Sequence, residues 1–596
     1  MTEVYFTLDV TTQQVAAKSS DRSESWARIR GVFSSETEHV ELVGERKIQV
    51  PLWLFLVKRD ALAYRLNSEE VNFNFDSNLT AVLRRVLSQS AEYDRLPSAR
   101  ILSAHTLQGR LKGAGFTRHL KFYQSRNVRK LLRYIAGATF SVPGAGKTTE
   151  ALAYFSVSAR NNEKLLVVAP KNAFSAWETQ FELCFPSSRH SFTRLVGGRK
   201  QIAALLATEP RYSIVSYRQL GTVLPEILSY LSKYPVAVFL DESHRMKGGP
   251  ARETGRNVLQ LSGLPTRKLL LTGTPIPNSQ LDLVAQAQFL FPYKEIDEGN
   301  AQSIVDPIYV RTTKAELGLR RPERITRDIQ MSPAQNRFYS LIAREEARRL
   351  SKFNILDKIQ LRSLGRSVMR LIQVASNPLL LINKTQIPTE LLRELTAEED
   401  SPKIQYACHR ARLLARQRKK TVIWSTFVDT VELIASRLTD LGADYIHGGV
   451  DAGSDLEEDT RERKIKDFHL DDKKFVLVAN PASCGEGISL HEVCHHAIYV
   501  DRNFNAGQYL QSEDRIHRLG LSKKQRTVIE ILISPGSIDE AVQNRLSAKV
   551  RAMGRALNDQ ELNIDPISLD PETLSDDEVL DEADAQEIID HLVSHA

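Results

Sequence analysis

Cysteine is scarce in this chain of 596 residues, and its four cysteines lie far apart, at Cys184, Cys408, Cys484 and Cys494. Since no two of them have a Cys-x-x-Cys spacing, the sequence argues against a disulfide framework and a zinc ribbon. The neighbouring His495 and His496 do not change this interpretation, because adjacent residues of a strand point to opposite faces. We therefore expect no structural metal.

Long hydrophobic runs are absent as well. No stretch of about 18 uncharged apolar residues occurs, and the first residues, MTEVYFTLDV, lack the basic-then-apolar order of a signal peptide. With 42% hydrophobic residues, the chain predicts a globular protein of several domains without a membrane partner. The expected location is the cytoplasm, in association with the nucleoid, or the nucleus if the source is eukaryotic.

Positive charge is missing from the last part of the sequence. Residues 556–596 contain thirteen Asp and Glu and no Lys or Arg, so the overall net charge of +7 leaves +20 on residues 1–555. The acidic part predicts a disordered tail with room for one short helix. The basic remainder, with a dense group of cations at residues 100–133, is typical of a protein with a polyanionic partner, although a solvated helix face would also explain that group.

Two series of short apolar runs alternate with amphipathic stretches. The first series is ATFSV, LLVVAP, YSIVSY, VAVFLD and KLLLTGT, and the second is TVIWST, DYIHG, FVLVAN, HAIYVD and VIEILI. This alternation predicts βαβ units and therefore two α/β domains, each with a parallel sheet covered on both faces. Residues 303–400 between them are expected to be mostly helical, and the first hundred residues to form a small β-rich or α+β domain.

The stretch SVPGAGKTTE, residues 141–150, combines a strand end, a glycine-containing turn and a helix start. A Gly-x-x-x-x-Gly-Lys-Ser/Thr loop binds nucleotide phosphates through backbone N–H groups, its lysine and a Mg²⁺-ligating hydroxyl. Gly146, Lys147 and Thr148 fill the last three positions, but Ser141 replaces the first glycine, and a turn of this kind also occurs for packing alone. The residues predicted to bind a nucleotide are Gly144, Ala145, Gly146, Lys147, Thr148 and Thr149.

Two further motifs follow buried strands. In VAVFLDESHRMKG, Asp241 is predicted to hold Mg²⁺ through water and Glu242 to accept a proton from the attacking water. After the next strand, Thr272 and Thr274 of the Thr-Gly-Thr-Pro motif are placed to sense the phosphates, and His244 is expected to couple the two motifs. Three such signals in one order indicate a site for ATP and Mg²⁺.

The segment DRNFNAGQYLQSEDRIHRLG, residues 501–520, contains two arginines three residues apart, Arg515 and Arg518. On a helix this spacing places both side chains on one face, where they could be presented to a γ-phosphate. An exposed arginine-rich helix is the alternative interpretation.

The order of these motifs resembles the superfamily-two helicases, and their flanking residues resemble the Swi/Snf-like family of DNA-translocating ATPases. The resembling segments are LLVVAPKNAFSAWETQF, LKFYQSRNVRKLL, DPIYVRTTKAEL, SPAQNRFYSLI, VMRLIQVASNPLLL and the Arg-x-His-Arg-x-Gly string, within about residues 115–550. The resemblance implies two RecA-like lobes, Gln124 as the adenine-reading glutamine, and Arg515 and Arg518 as arginine fingers. It further implies that Gln511 helps to order the cleft, that Gly487 lies close to the nucleotide, and that Lys171, Trp177 and Thr426 contact the DNA backbone.

The implied domains are an accessory domain at 1–110, a first lobe at 115–300, a helical insertion at 301–400, a second lobe at 401–535, a helical brace at 536–558 and the acidic tail at 559–596. The sequence departs from the family pattern at Ser141, Cys484, Ser489 and Leu521. None of these departures removes an expected phosphate or metal ligand, although those at Cys484 and Ser489 put the coupling of the lobes in doubt.

The resemblance implies an ATP-dependent translocase on double-stranded DNA, and the first domain is expected to recognise a DNA structure or a protein partner. The small amount of material outside the motor favours a bacterial, archaeal or phage protein that acts in DNA repair, nucleoprotein remodelling or defence against foreign DNA. One alternative of the same fold is a helicase that separates strands of RNA or DNA. An alternative of another class is a non-catalytic DNA-binding assembly subunit.

Overall fold

A computed structural model of the chain describes residues 2–34, 40–69, 71–94, 101–276, 281–350, 358–450, 459–484, 489–518, 520–521, 525–557, 559 and 588–592. The chain divides into two compact units, with the boundary between Thr312 and Thr313. The α/β class predicted from the alternating apolar runs is confirmed, because each unit contains one parallel sheet and the first unit also contains a separate N-terminal sheet. The finer domain boundaries stay a prediction.

The N-terminal part of the first unit is an α+β domain. Its strands are β1 (Glu3–Asp9), β2 (Gln14–Ser19), β3 (Glu41–Leu42), β4 (Lys47–Pro51) and β5 (Asn72–Phe75), in the order β3-β4-β2-β1-β5. Its helices are α1 (Glu24–Gly31), α2 (Leu52–Val57), α3 (Arg59–Ser68) and α4 (Ser77–Asp94). Strand β1 alternates buried and exposed residues, as expected for a sheet with one covered face.

Helix α4 attaches this domain to the rest of the first unit. The Gln89 side chain donates to the Pro265 carbonyl at 3.1 Å, and the Tyr93 hydroxyl donates to the Ile304 carbonyl at 3.1 Å. Lys58 forms an ion pair with Glu295 at 2.6 Å. The N-terminal domain is therefore packed against the parallel-sheet part of its unit.

The parallel sheet of the first unit has seven strands in the order β12-β6-β11-β10-β7-β9-β8. They are β6 (Ala136–Thr139), β7 (Lys164–Val168), β8 (Phe192–Arg194), β9 (Tyr212–Val215), β10 (Val236–Asp241), β11 (Arg267–Leu271) and β12 (Tyr309–Val310). The helices are α5 (Ala104–Gly113), α6 (Phe122–Leu131), α7 (Lys147–Ser158), α8 (Phe174–Cys184), α9 (Arg199–Ala207), α10 (Tyr217–Thr222), α11 (Leu224–Lys233), α12 (Glu253–Leu261), α13 (Leu281–Leu290) and α14 (Ala301–Val305). Every residue of β10 except the last is buried, because helices cover both faces of such a sheet.

The sheet of the second unit has six parallel strands in the order β13-β18-β17-β14-β16-β15. They are β13 (Glu323–Asp328), β14 (Lys420–Trp424), β15 (Asp444–Ile446), β16 (Val476–Ala479), β17 (Cys494–Tyr499) and β18 (Val528–Ile533). The helices are α15 (Pro333–Leu350), α16 (Lys358–Ser376), α17 (Thr389–Ala397), α18 (Pro402–Arg416), α19 (Val428–Arg437), α20 (Arg461–Leu470), α21 (Pro481–Cys484), α22 (Ala506–Glu513) and α23 (Ile538–Ala556).

Strand β13 corrects one part of the sequence interpretation, which expected residues 303–400 to be mostly helical. Its sequence ERITRD has four charged residues out of six, yet it pairs with β18 along its whole length. It lies at the edge of the sheet, where charged side chains are common, and Glu323 and Asp328 at its two ends are exposed. Helices do follow it, at α15, α16 and α17.

A short helical stretch at residues 588–592 packs on the second unit. Ile588 and Leu592 are buried, and the His591 Nε2 atom lies 2.8 Å from the Tyr339 hydroxyl on α15. The same hydroxyl accepts the Ile538 N–H at the start of α23 at 2.7 Å. The predicted acidic tail thus contains one anchored segment, while residues 560–587 lie outside the described part of the chain.

Within the described ranges, no helix is long and apolar enough to cross a membrane. The same residues contain no group of three or more His, Cys, Asp or Glu side chains suited to a metal ion.

Candidate nucleotide site and arginine turn

The phosphate loop, residues 141–146, connects the end of β6 to helix α7, which begins at Lys147. Gly144 and Gly146 have φ angles of +84° and +87°, a backbone region that favours glycine. A Cβ atom at Gly146 would also collide with the Gln124 amide. Lys147 Nζ donates to the Ser141 carbonyl at 3.0 Å, across the loop. The loop and the first turn of α7 therefore form a cradle for phosphate.

A network of hydrogen bonds among buried polar side chains supports this loop. The Ser141 hydroxyl accepts the Thr312 N–H at 3.0 Å, which explains how serine serves where the common motif has glycine. Asn127 on α6 donates to Glu150 Oε1 and to the Thr312 hydroxyl, both at 2.9 Å. Thr139 donates to Glu150 Oε2 at 3.1 Å. Neutral hydrogen bonds thus fix the loop to α6, to α7 and to Thr312, which follows β12.

Glu150 is fully buried within this network. Burial raises the pKa of its carboxyl to about 8, and the hydrogen bonds from Asn127 and Thr139 only partly oppose the effect. This shift favours the neutral carboxyl, which lowers the cost of burying the group.

Gln124 and Thr149, both predicted nucleotide contacts, are engaged with the protein. The Gln124 amide nitrogen donates to the Ala145 carbonyl at 3.0 Å, and its oxygen accepts the Lys121 N–H at 3.0 Å. One amide hydrogen and one lone pair remain available to an adenine ring. The Thr149 hydroxyl donates to the Gln180 side chain at 3.1 Å, so its one hydrogen is already used within the protein.

The adjacent carboxylates lie at the carboxyl end of β10. Asp241 is the last residue of the strand, and Glu242 has a left-handed backbone with φ +48° and ψ +52°. The Trp177 indole N–H donates to Asp241 Oδ2 at 2.8 Å, while Asp241 Oδ1 accepts the Glu242 N–H at 3.0 Å. These two bonds fix the Asp241 carboxylate and leave further lone pairs on both oxygens.

His244 and Thr272 connect this pair to the end of β11. His244 Nδ1 lies 2.9 Å from the Thr272 hydroxyl and 3.3 Å from Glu242 Oε2. The Thr272 hydroxyl also accepts the Thr274 N–H at 3.1 Å. The structure therefore brings together the Asp-Glu-x-His and Thr-Gly-Thr motifs, as the predicted coupling requires. The Thr274 hydroxyl is buried and has no hydrogen-bond partner among the described residues.

The pKa values of the two carboxylates are shifted in opposite directions. Burial and the neighbouring Glu242 charge raise the pKa of Asp241. Burial acts in the same direction on Glu242, but its contact with His244 and the nearby Lys147 charge outweigh burial and lower the pKa of Glu242. Glu242 is therefore held ionised, as a proton acceptor must be.

These residues fit a nucleotide with a divalent cation. The half-exposed glycines and Lys147 offer backbone and side-chain donors to phosphate. Thr148 and Asp241 offer hydroxyl and carboxylate oxygens, the ligand type that Mg²⁺ prefers, and Mg²⁺ commonly takes its remaining ligands from phosphates and water.

In the second unit, the arginine turn (residues 514–518) does not lie on a helix. Helix α22 ends at Glu513, so the prediction that Arg515 and Arg518 share one helix face is wrong. The turn is closed instead by short-range bonds, including His517 N–H to the Glu513 carbonyl at 3.0 Å. Arg515 is 8% exposed and Arg518 is half-buried. Gln511 is buried on α22.

The three predicted DNA contacts differ in exposure. Lys171 is exposed just after β7, and its assignment as a DNA contact stays a prediction. Trp177 has no exposed surface and donates to Asp241, so its assignment as a DNA contact is wrong. The Thr426 hydroxyl is also buried, and its N–H donates to Asp501 at 2.7 Å. Gly487 lies outside the described residues.

Sequence interpretation missed the residues that hold both elements in place. Asn127, Glu150 and Thr312 support the phosphate loop, and Lys314 and Arg324 form ion pairs beside the arginine turn. These partners are far apart along the chain, and no local pattern marks them. Four of these residues lie in segments noted above for their motif or family resemblance, but none was assigned a supporting role; they are Asn127, Glu150, Thr312 and Lys314.

Comparison with known families agrees with the motifs. The SNF2-related domain matches residues 135–380, and the helicase conserved C-terminal domain matches residues 403–520. The resemblance to the Swi/Snf-like family is thereby confirmed, and the two matches support an ATPase of the helicase-like type.

Individual relatives are distant. The ATP-dependent helicase fft1 of Schizosaccharomyces pombe is 22% identical over 516 residues, covering 74% of this chain and 53% of the relative. The ISWI chromatin-remodeling complex ATPase ISW1 of Saccharomyces cerevisiae is 26% identical over 474 residues, covering 72% of this chain and 40% of the relative. The chain thus spans about half or less of the length of these relatives.

Among solved structures, the Sulfolobus solfataricus SWI2/SNF2 ATPase core in complex with dsDNA matches 75% of this chain and 95% of its own, at 19% identity. The TM-score is 0.33, which is too low to establish a shared arrangement.

Proposed function

Since the chain carries the two domains of the Swi/Snf-like ATPases, we propose that it is an ATP-driven motor that moves along double-stranded DNA. The observation that carries the ATPase part is the phosphate loop of α7 together with Asp241 and Glu242 at the carboxyl end of β10. In a parallel sheet this edge is where ligands bind. The supporting contacts of Trp177, His244 and Thr272 hold the carboxylates in fixed positions.

Each residue then has a defined task. The loop N–H groups and Lys147 bind the phosphates, Gln124 reads the adenine with its remaining amide hydrogen, and Thr148 and Asp241 hold Mg²⁺. Mg²⁺, when bound, neutralises charge that develops on the phosphates. Glu242, kept ionised by its contact with His244, orients the attacking water and accepts its proton.

Duplex DNA as the track is supported by charge and by family. Residues 1–555 carry a net charge of +20, which suits sequence-independent phosphate binding. Lys171 is the exposed candidate for a backbone contact in the first unit. Two of the relatives are named as a helicase and a chromatin-remodelling ATPase, which favours DNA over RNA.

We further propose that the motor serves DNA repair, nucleoprotein remodelling or defence against foreign DNA. It would act in the cytoplasm at the nucleoid, or in the nucleus if the chain is eukaryotic. The bacterial, archaeal or phage origin stays a prediction, and the relatives named above are from a fission yeast and a budding yeast.

The deciding experiment measures ATP turnover with duplex DNA, single-stranded DNA and RNA in parallel, with the Lys147→Ala variant as the background. We expect the largest stimulation by duplex DNA. Displacement of a third strand from a triplex should accompany it, while a forked duplex should stay largely paired. Robust fork unwinding without triplex displacement would establish the strand-separating alternative, and absence of ATP turnover on every nucleic acid would establish the non-catalytic one.

The N-terminal domain is proposed to recognise a DNA structure or a partner protein. Because α4 packs on the first parallel-sheet part through Gln89 and Tyr93, deleting the domain would remove the partners of the Pro265 and Ile304 carbonyls. The exposed Tyr64 and Arg65 on α3 are better targets. Substituting both with serine should change the preference between branched and linear duplexes, and an unchanged preference would argue against DNA recognition by this face.

A further inference from the structure

Four charged side chains form a cluster beside the arginine turn, in which three are buried and Lys314 is partly exposed. Lys314 Nζ lies 2.5 Å from Asp514 Oδ1 and 3.5 Å from Glu513 Oε1. Arg324 on β13 binds both oxygens of Glu513, at 2.6 and 3.1 Å. The two acidic side chains are at most 5% exposed. Two cations thus hold the two residues that directly precede Arg515.

The electrostatic environment favours the charged forms of Glu513 and Lys314, whereas burial raises the pKa of Asp514. Burial alone would raise the pKa of Glu513, but the Arg324 and Lys314 charges lower it to about 2. The Asp514 and Glu513 charges likewise raise the pKa of Lys314 against the effect of burial. Charge-assisted and bidentate pairs of this kind are geometrically restrictive.

The rest of the turn is tied to the same segment. His517 Nε2 lies 2.6 Å from the Arg320 carbonyl, and the Arg515 carbonyl accepts the Leu490 N–H at 2.8 Å. Residues 314–324 therefore contact the turn on both sides of Arg515, at Asp514 and at His517.

Lys314 lies just after the boundary between the two units in the sequence. Thr312, only two residues earlier, belongs to the first unit and donates its N–H to Ser141 of the phosphate loop. Lys314 itself belongs to the second unit, which contains the charged cluster.

We propose that Lys314 and Arg324 are positioning residues that fix the arginine turn, and thereby Arg515, in the geometry that ATP turnover needs. This inference rests on the proposed function, because it assigns the two cations a task in that reaction. Neither residue touches the nucleotide in this scheme, and both act through Glu513 and Asp514.

The test compares Lys314→Met with Lys403→Met. Lys403 forms a second buried pair in the same unit, 2.5 Å from Asp539 and remote in sequence from the turn, so it controls for the loss of a buried lysine. We expect Lys314→Met to lower kcat for ATP by about tenfold to a hundredfold, with KM for ATP and the Kd for duplex DNA unchanged. Lys314→Arg should restore part of the rate. Equal kcat losses in both methionine variants would overturn the proposal.

A double variant separates positioning from general damage. If Lys314 acts through Arg515, adding Lys314→Met to Arg515→Ala should change kcat by no more than about twofold, because the group being positioned is already absent. Multiplication of the two single losses would contradict the proposal. The Lys403→Met effect, whatever its size, should multiply with Arg515→Ala.

Hydrogen exchange provides a readout that does not depend on turnover. In the full chain without nucleotide, Lys314→Met should raise exchange in the peptide that covers residues 509–518, while Lys403→Met should leave that peptide unchanged. Unchanged exchange there in Lys314→Met would overturn the positioning role. A wild-type protein without ATP turnover would contradict the proposed function instead, so the two failures are distinguishable.

Discussion

The phosphate loop and the arginine turn are two elements of one proposed reaction, and they are held by different physical means. The loop depends on backbone geometry, with left-handed glycines and neutral hydrogen bonds to Ser141 and Glu150. The turn depends on buried ion pairs between residues nearly two hundred positions apart. A local sequence pattern identifies the first, although Thr312 supports it from 171 positions away, whereas no local pattern identifies the partners of the second. Each element should therefore respond to different perturbations.

The largest effect is expected from the loop itself. Lys147→Ala should abolish ATP binding or turnover, because the lysine neutralises the phosphates, whereas Glu242→Gln should bind ATP and hydrolyse it poorly, because the amide cannot accept the proton. Binding of a fluorescent ATP analogue and steady-state turnover distinguish the two. If both variants hydrolysed ATP at the wild-type rate, the site would lie elsewhere.

Removal of the arginines should give the next largest effect. Arg515→Ala and Arg518→Ala should each lower turnover by about a hundredfold or more while ATP binding is retained, the scale of a lost arginine finger. Arg526→Ala, at an exposed arginine of the same unit, is the matched control. A variant that keeps the wild-type rate would show that its arginine does not act on the transferring phosphate.

Trp177 tests whether the carboxylates need external support. Trp177→Phe removes the indole donor to Asp241 and should lower kcat by about tenfold, because a hydrogen bond to a charged group is worth about 1.5–3 kcal/mol. DNA affinity should not change, since the side chain is buried. Trp26→Phe, which removes a similar indole bond to the Glu45 carbonyl at 2.8 Å, controls for stability. Weaker DNA binding with an unchanged kcat would instead support Trp177 as a DNA contact, the role expected from the sequence.

The smallest expected effect is the contribution of His517 to the loss of stability at low pH. Burial, followed by the Lys314 charge, lowers the pKa of His517 to about 4. Below the unfolded pKa of about 6.5 the unfolded chain binds a proton that the folded chain does not, so stability is lost as the pH falls from there towards 4. His517→Gln should reduce that loss, measured as the fall in Tm between pH 6.5 and 4.5. The exposed His409→Gln should behave as wild type, and equal losses in all three proteins would contradict the assignment.

Much of the fold follows from the sequence because parallel strands buried on both faces appear as continuous apolar runs. VAVFLD and VIEILI became β10 and β18, each with at most one residue that is not fully buried. The charged edge strand β13 was missed for the converse reason, since ERITRD has no apolar run. Helix α22 ends before Arg515, because the turn is fixed by distant ion pairs rather than by local preference.

The nucleotide site was predictable where its chemistry is local. Gly146, Lys147, Asp241 and Glu242 take part in motifs whose spacing follows from phosphate binding. Trp177 was misassigned because sequence does not reveal which side chains are buried, and Glu150 was overlooked because a glutamate inside a helix ordinarily faces solvent. Both residues contribute through contacts with partners on other elements.

The contact between His591 and Tyr339 anchors the acidic region at its far end, while α23 precedes its near end. Asp559 is buried after α23, and Ile588 is buried 29 residues later. Any encounter between the intervening carboxylates and a basic surface of this protein is then an intramolecular event, with a local concentration of the order of millimolar that does not fall on dilution. Truncation at residue 560 would remove the buried anchor together with the charge. Replacing the acidic residues of 560–587 with their amides would change the charge and keep the anchor.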